Sequence, residues 1–167
     1  MGAKLYNVDP NYLRYLNKTD HRIPVKYNNR PVVVLTVKIN DYIYAVPLTS
    51  QTTEERKAKG KKKRKNSITT YVRDSKGKEI ANLLHNNMFP VLASCLYEKK
   101  LDPKTDSYEI MEQRFLRRNM DSINRKSLNV YSKKYDCSHP EHDFINRISC
   151  DFKELEKACD LWAKTTR

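Results

Sequence analysis

The sequence predicts an α+β fold, with an antiparallel β-sheet in the first half of the chain and helices in the second half. Between residues 4 and 97, short apolar stretches of alternating polarity are separated by turn residues, as is typical of strands. After residue 105, apolar residues recur at helical spacing. The 167 residues contain no internal repeat and no linker rich in Pro, Gly or Ser, so residues 1–167 are expected to form a single domain.

Strands are expected to fill most of the first half. The first is followed by a helix, because Asp9 is a good cap and Pro10 suits the first helical position. Asn40-Asp41 is a turn pair between two apolar stretches, which predicts a hairpin. The expected strands are residues 4–8, 31–39, 42–48, 67–73, 79–84 and 89–92, and a loop is expected at residues 19–30.

Helices are expected in the second half. The first begins near Asp106, since Glu109 three residues later completes a capping pattern. A further helical segment is expected through Leu128 and Tyr131, and the last helix is expected at residues 151–164. The apolar stripes of the first and last helices consist of Tyr108, Met111, Phe115 and Ile123, and of Leu155, Ala158, Cys159 and Trp162.

The charge of the chain predicts a polyanionic partner. The formal net charge is +13, and eight of the cations lie in residues 56–65, called here the basic segment. A membrane is disfavoured, because the longest apolar stretch, Val32 to Leu35, is far too short to span a bilayer. Residues 1–12 do not resemble a secretion signal, and four scattered cysteines are typical of reduced thiols, so a cytoplasmic location is expected. Nucleic acid is therefore the expected partner.

The basic segment has two interpretations. It is either a solvated loop that binds polyanions without selectivity, or a contact with the phosphates of RNA, whose counterions it would release. Its position between two expected strands places it as a loop that projects from the edge of the sheet. Its cations are Arg56, Lys57, Lys59, Lys61, Lys62, Lys63, Arg64 and Lys65.

Two hydroxyl residues, Thr49 and Ser50, follow the strand expected at residues 42–48. By themselves they are typical of a strand that ends in small polar residues. Next to a cationic segment, they also suit hydrogen bonding to the non-bridging oxygens of a phosphate. No spacing of Ser, His and Asp predicts a hydrolase triad.

A metal site has little support in the sequence. Zinc ligands of the right kinds occur in the segment CSHPEHDFINRISC, at Cys137, His139, His142 and Cys150, but their spacing matches no common zinc pattern. No acidic cluster suits a two-metal nuclease. No metal and no cofactor are therefore expected, and a zinc protein or a metal-dependent nuclease stays the less favoured alternative.

Several segments, in their order along the chain, resemble the toxins of type III toxin–antitoxin systems, the ToxN/AbiQ family. The most specific is the end of the hairpin, where a Pro-Leu-Thr-Ser sequence closes the second strand. The resemblance is clearest over residues 5–92. The segments are YLRYL at 12–16, Asp20, Ile23-Pro24, Arg30-Pro31, NDYIYAVPLTS at 40–50, and NMFPV at 87–91.

The resemblance implies an endoribonuclease with a twisted, barrel-like antiparallel core similar to that of MazF and Kid toxins. It implies cleavage of RNA without metal, leaving a 2′,3′-cyclic phosphate and a 5′-hydroxyl. It also implies an antitoxin that is a small, repeat-derived pseudoknot RNA, which holds the toxin inactive in closed protein–RNA rings. Abortive infection as a defence against phage is the implied role.

The family's active-site residues carry over to Thr49, Ser50 and Tyr27, the last across an alignment gap. Relatives often have a lysine two positions after the serine, and Thr52 occupies that position here. The cation that supports the reaction is therefore expected among Lys26, Arg30, Arg56 and Lys57, with Lys57 as the residue to test. Together with Lys26, Arg30 and Thr52, the basic segment is expected to bind RNA. A non-catalytic RNA-binding module that uses this segment is the alternative from another class.

Overall fold

The computed structural model describes residues 3–25, 32–36 and 38–166 and has an α+β architecture. Its centre is an antiparallel sheet in the order β4-β5-β3-β2-β1-β7, and β6 pairs with β3 outside this path. The predicted fold class is confirmed. The strands are β1 (Leu5–Val8), β2 (Val32–Leu35), β3 (Ile43–Thr49), β4 (Thr69–Arg73), β5 (Glu79–Leu84), β6 (Phe89–Val91) and β7 (Leu96–Glu98).

Five α-helices accompany the sheet within the described residues. The first begins as predicted, because the side chain of Asp9 accepts a hydrogen bond from the N–H of Asn11 at 2.8 Å. Most of the helical residues lie in the second half of the chain, as predicted. The helices are α1 (Pro10–Thr19), α2 (Thr53–Ala58), α3 (Ser107–Tyr135), α4 (His142–Ile148) and α5 (Phe152–Thr165).

The hairpin of β2 and β3 is confirmed, and β3 is the centre of the sheet. Asn40 and Asp41 have φ angles of 51° and 68°, as a tight hairpin turn requires. On the side away from β2, β3 pairs with β6 through residues 43–45 and with β5 through residues 48–49. Pro47 has no N–H to donate, and it lies between these two pairings, so the sheet accommodates a proline in a central strand.

The core lies where α1 and α5 meet the sheet. Tyr12 of α1 and Tyr44 of β3 are fully buried, and the ring of Trp162 in α5 lies 5.5 Å from that of Tyr12. The hydroxyl of Tyr44 donates to the carboxylate of Glu156 at 2.5 Å. The predicted stripe of α5 is confirmed, because its members are buried or packed against the core. This core fixes β3 and therefore the position at which β3 ends.

The structure differs from the expected elements in four places, one of which is the additional strand β7. The second half has one continuous helix, α3, where two segments were expected, because none of its residues interrupts the helical backbone. The segment around His142, for which no helix was expected, contains α4. The basic segment is not a loop throughout, since its first three residues belong to α2.

Candidate active site at the end of strand β3

The two predicted hydroxyl residues lie where β3 leaves the sheet. Thr49 is the last residue of β3 and pairs across the sheet with Asn82 of β5. Its side-chain oxygen accepts a hydrogen bond from the N–H of Gln51 at 3.2 Å, which leaves its own O–H free to donate. Ser50 is exposed, and its hydroxyl has no hydrogen bond within the described part of the chain. Both hydroxyls are therefore able to donate to a ligand at this edge.

Arg64, near the end of the basic segment, returns to the end of β3. Its guanidinium donates to the main-chain carbonyl of Gln51 at 2.9 Å and to the side-chain oxygen of the same residue at 3.1 Å. It also donates to the side-chain oxygen of Asn82 at 2.9 Å. Arg64 thus binds the residue after Ser50 and the cross-strand neighbour of Thr49. This geometry places a cation at the end of β3, bonded to neighbours of Thr49 and Ser50.

The other end of the Asn82 amide connects the site to α2. Its nitrogen donates to the carboxylate of Glu79 at 3.1 Å, and that carboxylate accepts from the N–H of Thr53 at 2.5 Å and from its hydroxyl at 2.8 Å. Burial opposes ionisation of Glu79, but the hydrogen bonds from Thr53 and Asn82 outweigh it and lower the pKa of Glu79. The ionised carboxylate therefore fixes the start of α2 relative to β5.

The electrostatics of Arg64 suit a site for an anion. Burial, and then the neighbouring charge of Arg56, lower its pKa, yet a guanidinium stays protonated at any physiological pH. The hydroxyl of Tyr71 donates to the main-chain carbonyl of Arg64, and the ammonium of Lys63 lies 4.9 Å from the centre of the Tyr71 ring. Tyr71 thus supports the main chain of Arg64 from β4.

The rest of the basic segment is anchored at both ends. Arg56 donates to the carbonyl of Lys62 at 2.9 Å, and Gly60, with a φ of 73°, ends α2. At the far end, the ammonium of Lys65 lies 4.2 Å from the centre of the Phe144 ring. The segment is therefore closed on itself by the Arg56–Lys62 hydrogen bond and held against the rest of the protein through Arg64 and Lys65. Its exposed lysines are Lys57, Lys59, Lys61, Lys62, Lys63 and Lys65.

Two predicted site residues, Thr52 and Lys57, belong to α2 or its cap and not to the end of β3. The side chain of Thr52 caps α2 by accepting from the N–H of Glu55 at 3.4 Å. Lys57 is exposed on α2, and its ammonium forms no hydrogen bond or ion pair with any residue that the structure describes. The remaining three, Lys26, Tyr27 and Arg30, lie outside the described residues.

Sequence reasoning missed part of this site. It assigned Arg64 to RNA binding alone and did not identify Glu79, Tyr71 or Asn82. One signal was present, because Asn82 is a polar residue inside an apolar strand, where asparagine is disfavoured unless its amide is bonded. Nothing in the spacing of Arg64 indicated its contact with Gln51, since all eight cations of the segment look alike.

The four residues of the less favoured zinc alternative have other surroundings in the structure. His139 accepts from the N–H of Glu141 at 3.0 Å, and His142 bonds to the carbonyl of Lys133 at 3.0 Å. Cys150 is buried, which raises the pKa of its thiol, whereas Cys137 is exposed. Within residues 3–25, 32–36 and 38–166, no three His, Cys, Asp or Glu side chains gather closely enough to hold a metal ion.

The site at the end of β3 combines donors of two kinds. Two hydroxyls and one guanidinium, all donors, lie at the end of β3, and the carboxylate of Glu79 already accepts three hydrogen bonds, from Thr53 and Asn82. Such a set binds a phosphate and stabilises charge that develops on its oxygens. Within the part of the chain that the structure describes, no histidine is hydrogen-bonded to Ser50 to make it a nucleophile.

Comparison with known protein families and with curated proteins matches nearly the whole chain to one family. The family model described as toxin ToxN of the type III toxin–antitoxin system matches residues 4–160. The endoribonuclease AbiQ of Lactococcus lactis subsp. lactis is 30% identical over 170 residues, which cover 98% of this chain and 91% of AbiQ. The endoribonuclease ToxN of Bacillus thuringiensis subsp. kurstaki is 29% identical over 169 residues, which cover 95% of this chain and 83% of that protein.

Solved structures agree with the sequence matches. A lactococcal anti-phage endoribonuclease, AbiQ, superimposes with a TM-score of 0.82 at 30% identity over 96% of this chain and 98% of its own. A second structure, from work on toxin inhibition by a non-coding RNA pseudoknot, gives a TM-score of 0.84 at 26% identity over 96% and 97%. None of the helices in the described residues combines the length and apolarity needed to cross a membrane.

Proposed function

Because this chain belongs to the ToxN family of type III toxin–antitoxin toxins, we propose that it is an endoribonuclease toxin that cuts RNA without a metal ion. The two curated relatives are both endoribonucleases, and they match nearly the whole chain. The reaction leaves a 2′,3′-cyclic phosphate and a 5′-hydroxyl. It takes place in the cytoplasm of a bacterium, where it contributes to abortive infection during attack by phage.

We assign the reaction to the end of β3 at Thr49 and Ser50, called here the reaction edge, on the basis of one observation. The hydroxyls of Thr49 and Ser50 leave the sheet beside the guanidinium of Arg64, which is bonded to Gln51 and Asn82. A phosphodiester that enters this edge meets two O–H donors and a fixed cation. These groups bind the non-bridging oxygens, on which negative charge increases in the transition state.

The chemistry uses a nucleophile that the RNA supplies. The 2′-hydroxyl oxygen forms a bond to the adjacent phosphorus, the bond from phosphorus to the 5′-oxygen breaks, and the 5′-oxygen takes up a proton. The proton of the 2′-hydroxyl passes to a base. The protein aligns the 2′-oxygen with the phosphorus and stabilises the phosphate oxygens through Ser50, Thr49 and a cation. Tyr27, by the family resemblance, positions the nucleotide or assists the transfer of a proton.

The antitoxin is proposed to be a small RNA of repeated pseudoknots. A pseudoknot RNA inhibits the toxin of one related structure. In this chain, the exposed lysines of the basic segment are suited to bind the phosphates of such an RNA, or of the substrate, in a closed protein–RNA assembly. Lys26, Arg30, Thr52 and Arg56 are proposed to contribute to the same surface.

The experiment that tests the function is an RNA cleavage assay in excess EDTA, with the chemistry of the product ends determined. We expect cleavage to persist and to give 2′,3′-cyclic phosphate and 5′-hydroxyl ends. We expect Ser50→Ala to lower kcat by about 10²–10³-fold, the range for loss of one preorganised donor. Ser132→Ala, a change at an exposed serine of α3, serves as the matched control.

Three outcomes would contradict the proposal in different ways. Full cleavage by Ser50→Ala would remove the assigned reaction edge. Loss of wild-type cleavage in EDTA would indicate a metal-dependent nuclease. Tight RNA binding by the wild type without any cleavage would indicate a non-catalytic RNA-binding module.

A further inference from the structure

A second cationic site lies between the end of β4 and the helix α3. It is a cleft of about 360 Å³ that opens on the surface beside the turn between β4 and β5. Three arginines share its lining with two apolar side chains from α3. The residues that line it are Arg73, Asp74, Ser75, Met111, Arg114, Phe115, Arg118 and Asn119.

Among the residues that the structure describes, the arginines of this cleft form few hydrogen bonds and no ion pairs. Arg114 and Arg118 are four residues apart on α3, where like charges repel each other. Neither forms an ion pair or a hydrogen bond with another residue in the described part of the chain. Arg73 donates to the main-chain carbonyl of Gly77 at 3.2 Å. An anion bound between these guanidinium groups would relieve the repulsion.

The carboxylate in the lining is committed to the turn. One oxygen of Asp74 accepts from the N–H groups of Lys76 and Lys78, each at 2.9 Å. Asp74 thus holds the turn in shape, and its remaining oxygen offsets at most one of the three arginine charges. The turn also presents the exposed side chains of Lys76 and Lys78, which add to the positive charge of this side of the molecule.

The cleft lies at the end of β4, an edge strand of the sheet that is two strands away from β3. Thr49 pairs with Asn82, and Asn82 pairs with Tyr71, so Tyr71 is two strands from Thr49, about 10 Å away. Arg73 lies two residues after Tyr71 in β4, which is about 7 Å along the strand and at right angles to the step across the strands. The guanidinium of Arg73 lies 5.9 Å from the centre of the Tyr71 ring, and Lys63 lies 4.9 Å from it. The positively charged side chains of Arg64, Lys63 and Arg73 therefore lie between the end of β3 and the cleft.

We propose that the cleft binds the phosphate backbone of the substrate RNA strand, a few nucleotides from the phosphate that is cut. This inference rests on the proposed function. The distance from Thr49 to Arg73, roughly 12 Å, is a few nucleotides at a rise of about 3.4 Å for each charge of a strand. Arginine forks bind phosphate with two parallel hydrogen bonds, and Phe115 and Met111 offer an apolar floor to a ribose or base.

The test compares two double variants with the same loss of charge. Arg114→Gln/Arg118→Gln removes the two α3 cations of the cleft. Arg117→Gln/Arg125→Gln removes two exposed cations of the same helix that do not line the cleft. Binding of a single-stranded 20-nucleotide RNA is measured in the Ser50→Ala background, where cleavage is expected to be slow compared with the binding measurement, over a range of salt concentrations.

We expect the cleft variant to bind this RNA about tenfold more weakly than the Ser50→Ala parent. We expect its slope of log affinity against log salt to be less steep by about 1.4, since each lost phosphate contact contributes about 0.7 for a single strand. With active protein, the ratio of kcat/KM for the 20-nucleotide RNA to that for the shortest RNA still cut should fall about tenfold. The control variant should keep the parent values in both assays.

Equal binding by the cleft variant and its parent would overturn the proposal. So would an equal loss in the control variant, which would indicate a general field of charge. Weaker binding of a pseudoknot antitoxin RNA with unchanged binding of the 20-nucleotide RNA would also overturn it, because the antitoxin would then be the ligand. The binding assay needs no cleavage, so a protein that binds here but never cuts RNA would refute the proposed function and not the cleft.

Discussion

The guanidinium of Arg64 donates a 2.9 Å hydrogen bond to the side-chain oxygen of Asn82, which is the cross-strand neighbour of Thr49. The same guanidinium binds Gln51, the residue after Ser50. A cation from near the end of the basic segment is therefore hydrogen-bonded both to the residue after Ser50 and to the cross-strand neighbour of Thr49. The strand end and the basic segment, which are separate features in the sequence, form one unit in the structure.

Arg64 is expected to act as a positioning residue that fixes the strand end and contributes charge. Arg64→Lys keeps a charge but lacks the fork that reaches Gln51 and Asn82 together, so we expect kcat to fall at least about tenfold with KM changed less. Arg64→Gln removes the charge as well, and a further fall in kcat is expected. The measurement is steady-state cleavage of a defined RNA, with thermal unfolding of each variant.

A matched change at an exposed lysine of the same segment, Lys61→Gln, controls for the loss of one positive charge. It should raise KM modestly and leave kcat within about twofold, as expected for a contact made equally in the ground and transition states. If Arg64→Lys had the kcat of the wild type, a role for the fork in positioning would be excluded.

The sequence and the structure lead to different expectations for the role of Lys57 in catalysis. The sequence predicts that Lys57 supplies the charge missing at Thr52, whereas the structure places Lys57 on the exposed side of α2 and brings Arg64 to the strand end. We expect Lys57→Gln to raise KM by about twofold or more without a comparable loss of kcat. A fall in kcat as large as that of Arg64→Gln would identify Lys57 as the supporting cation.

The fold was predictable because each main element carried a local signal. The alternation of polarity in the strands, the Asn40-Asp41 turn and the Asp9 cap are local features, and all three have the predicted consequences. The same kind of signal for α2 was overlooked. Thr52 and Glu55 fit a capping box and Gly60 fits a helix end, but the lysines after them are typical of a loop.

The site was only half predictable, for a reason of sequence distance. Thr49 and Ser50 are adjacent, so a motif can contain them, and their position at the strand end follows from the hairpin. The contact of Arg64 with Asn82 joins residues 18 positions apart and depends on the pairing of β3 with β5. Which of eight similar cations returns to the sheet is decided by tertiary structure.

Glu79 is expected to hold α2 against the site through its two hydrogen bonds from Thr53. Glu79→Gln keeps the shape but replaces one accepting oxygen with a donor that faces the N–H or hydroxyl of Thr53. We expect faster amide exchange throughout α2 and a lower kcat, with little change in the overall unfolding temperature. Hydrogen exchange at residues 53–58 is the measurement.

The pKa of Glu79 also predicts how this contact responds to acid. Because its folded pKa is lowered, the carboxylate contributes stability above its unfolded value, and that contribution is lost as the pH falls through the folded pKa. In the wild type, the protection factors of the α2 amides, which correct for the intrinsic pH dependence of exchange, should therefore fall only below about pH 4.5, the ordinary pKa of a glutamate. In Glu79→Gln, exchange should already be fast near pH 6, and equal exchange in both proteins at that pH would refute the role.

His85 predicts how the stability of the whole fold depends on pH. It is fully buried between Thr70 of β4 and Ser127 of α3, with both ring nitrogens within 2.8 Å of a hydroxyl oxygen. Burial, and then the charge of Lys126, lower its pKa from 6.5 to about 3. The neutral ring accepts from one hydroxyl and donates to the other, and so connects the sheet to α3.

The sign of the effect follows from the protons bound in each state. Below pH 6.5 the unfolded chain protonates His85 and the folded chain does not, so stability contributed by the neutral ring declines as the pH falls from 6.5 towards 3. Well within that window, one such group changes the free energy of unfolding by about 1.4 kcal/mol per pH unit. His85→Gln should lose this part of the slope, whereas His21→Gln, at an exposed histidine, should keep it. The free energy of unfolding in urea, measured between pH 7 and pH 4, gives the slope against pH for each variant. If the slopes of the wild type and of His85→Gln were equal, the buried ring would take up its proton in the folded protein, and the prediction would be wrong.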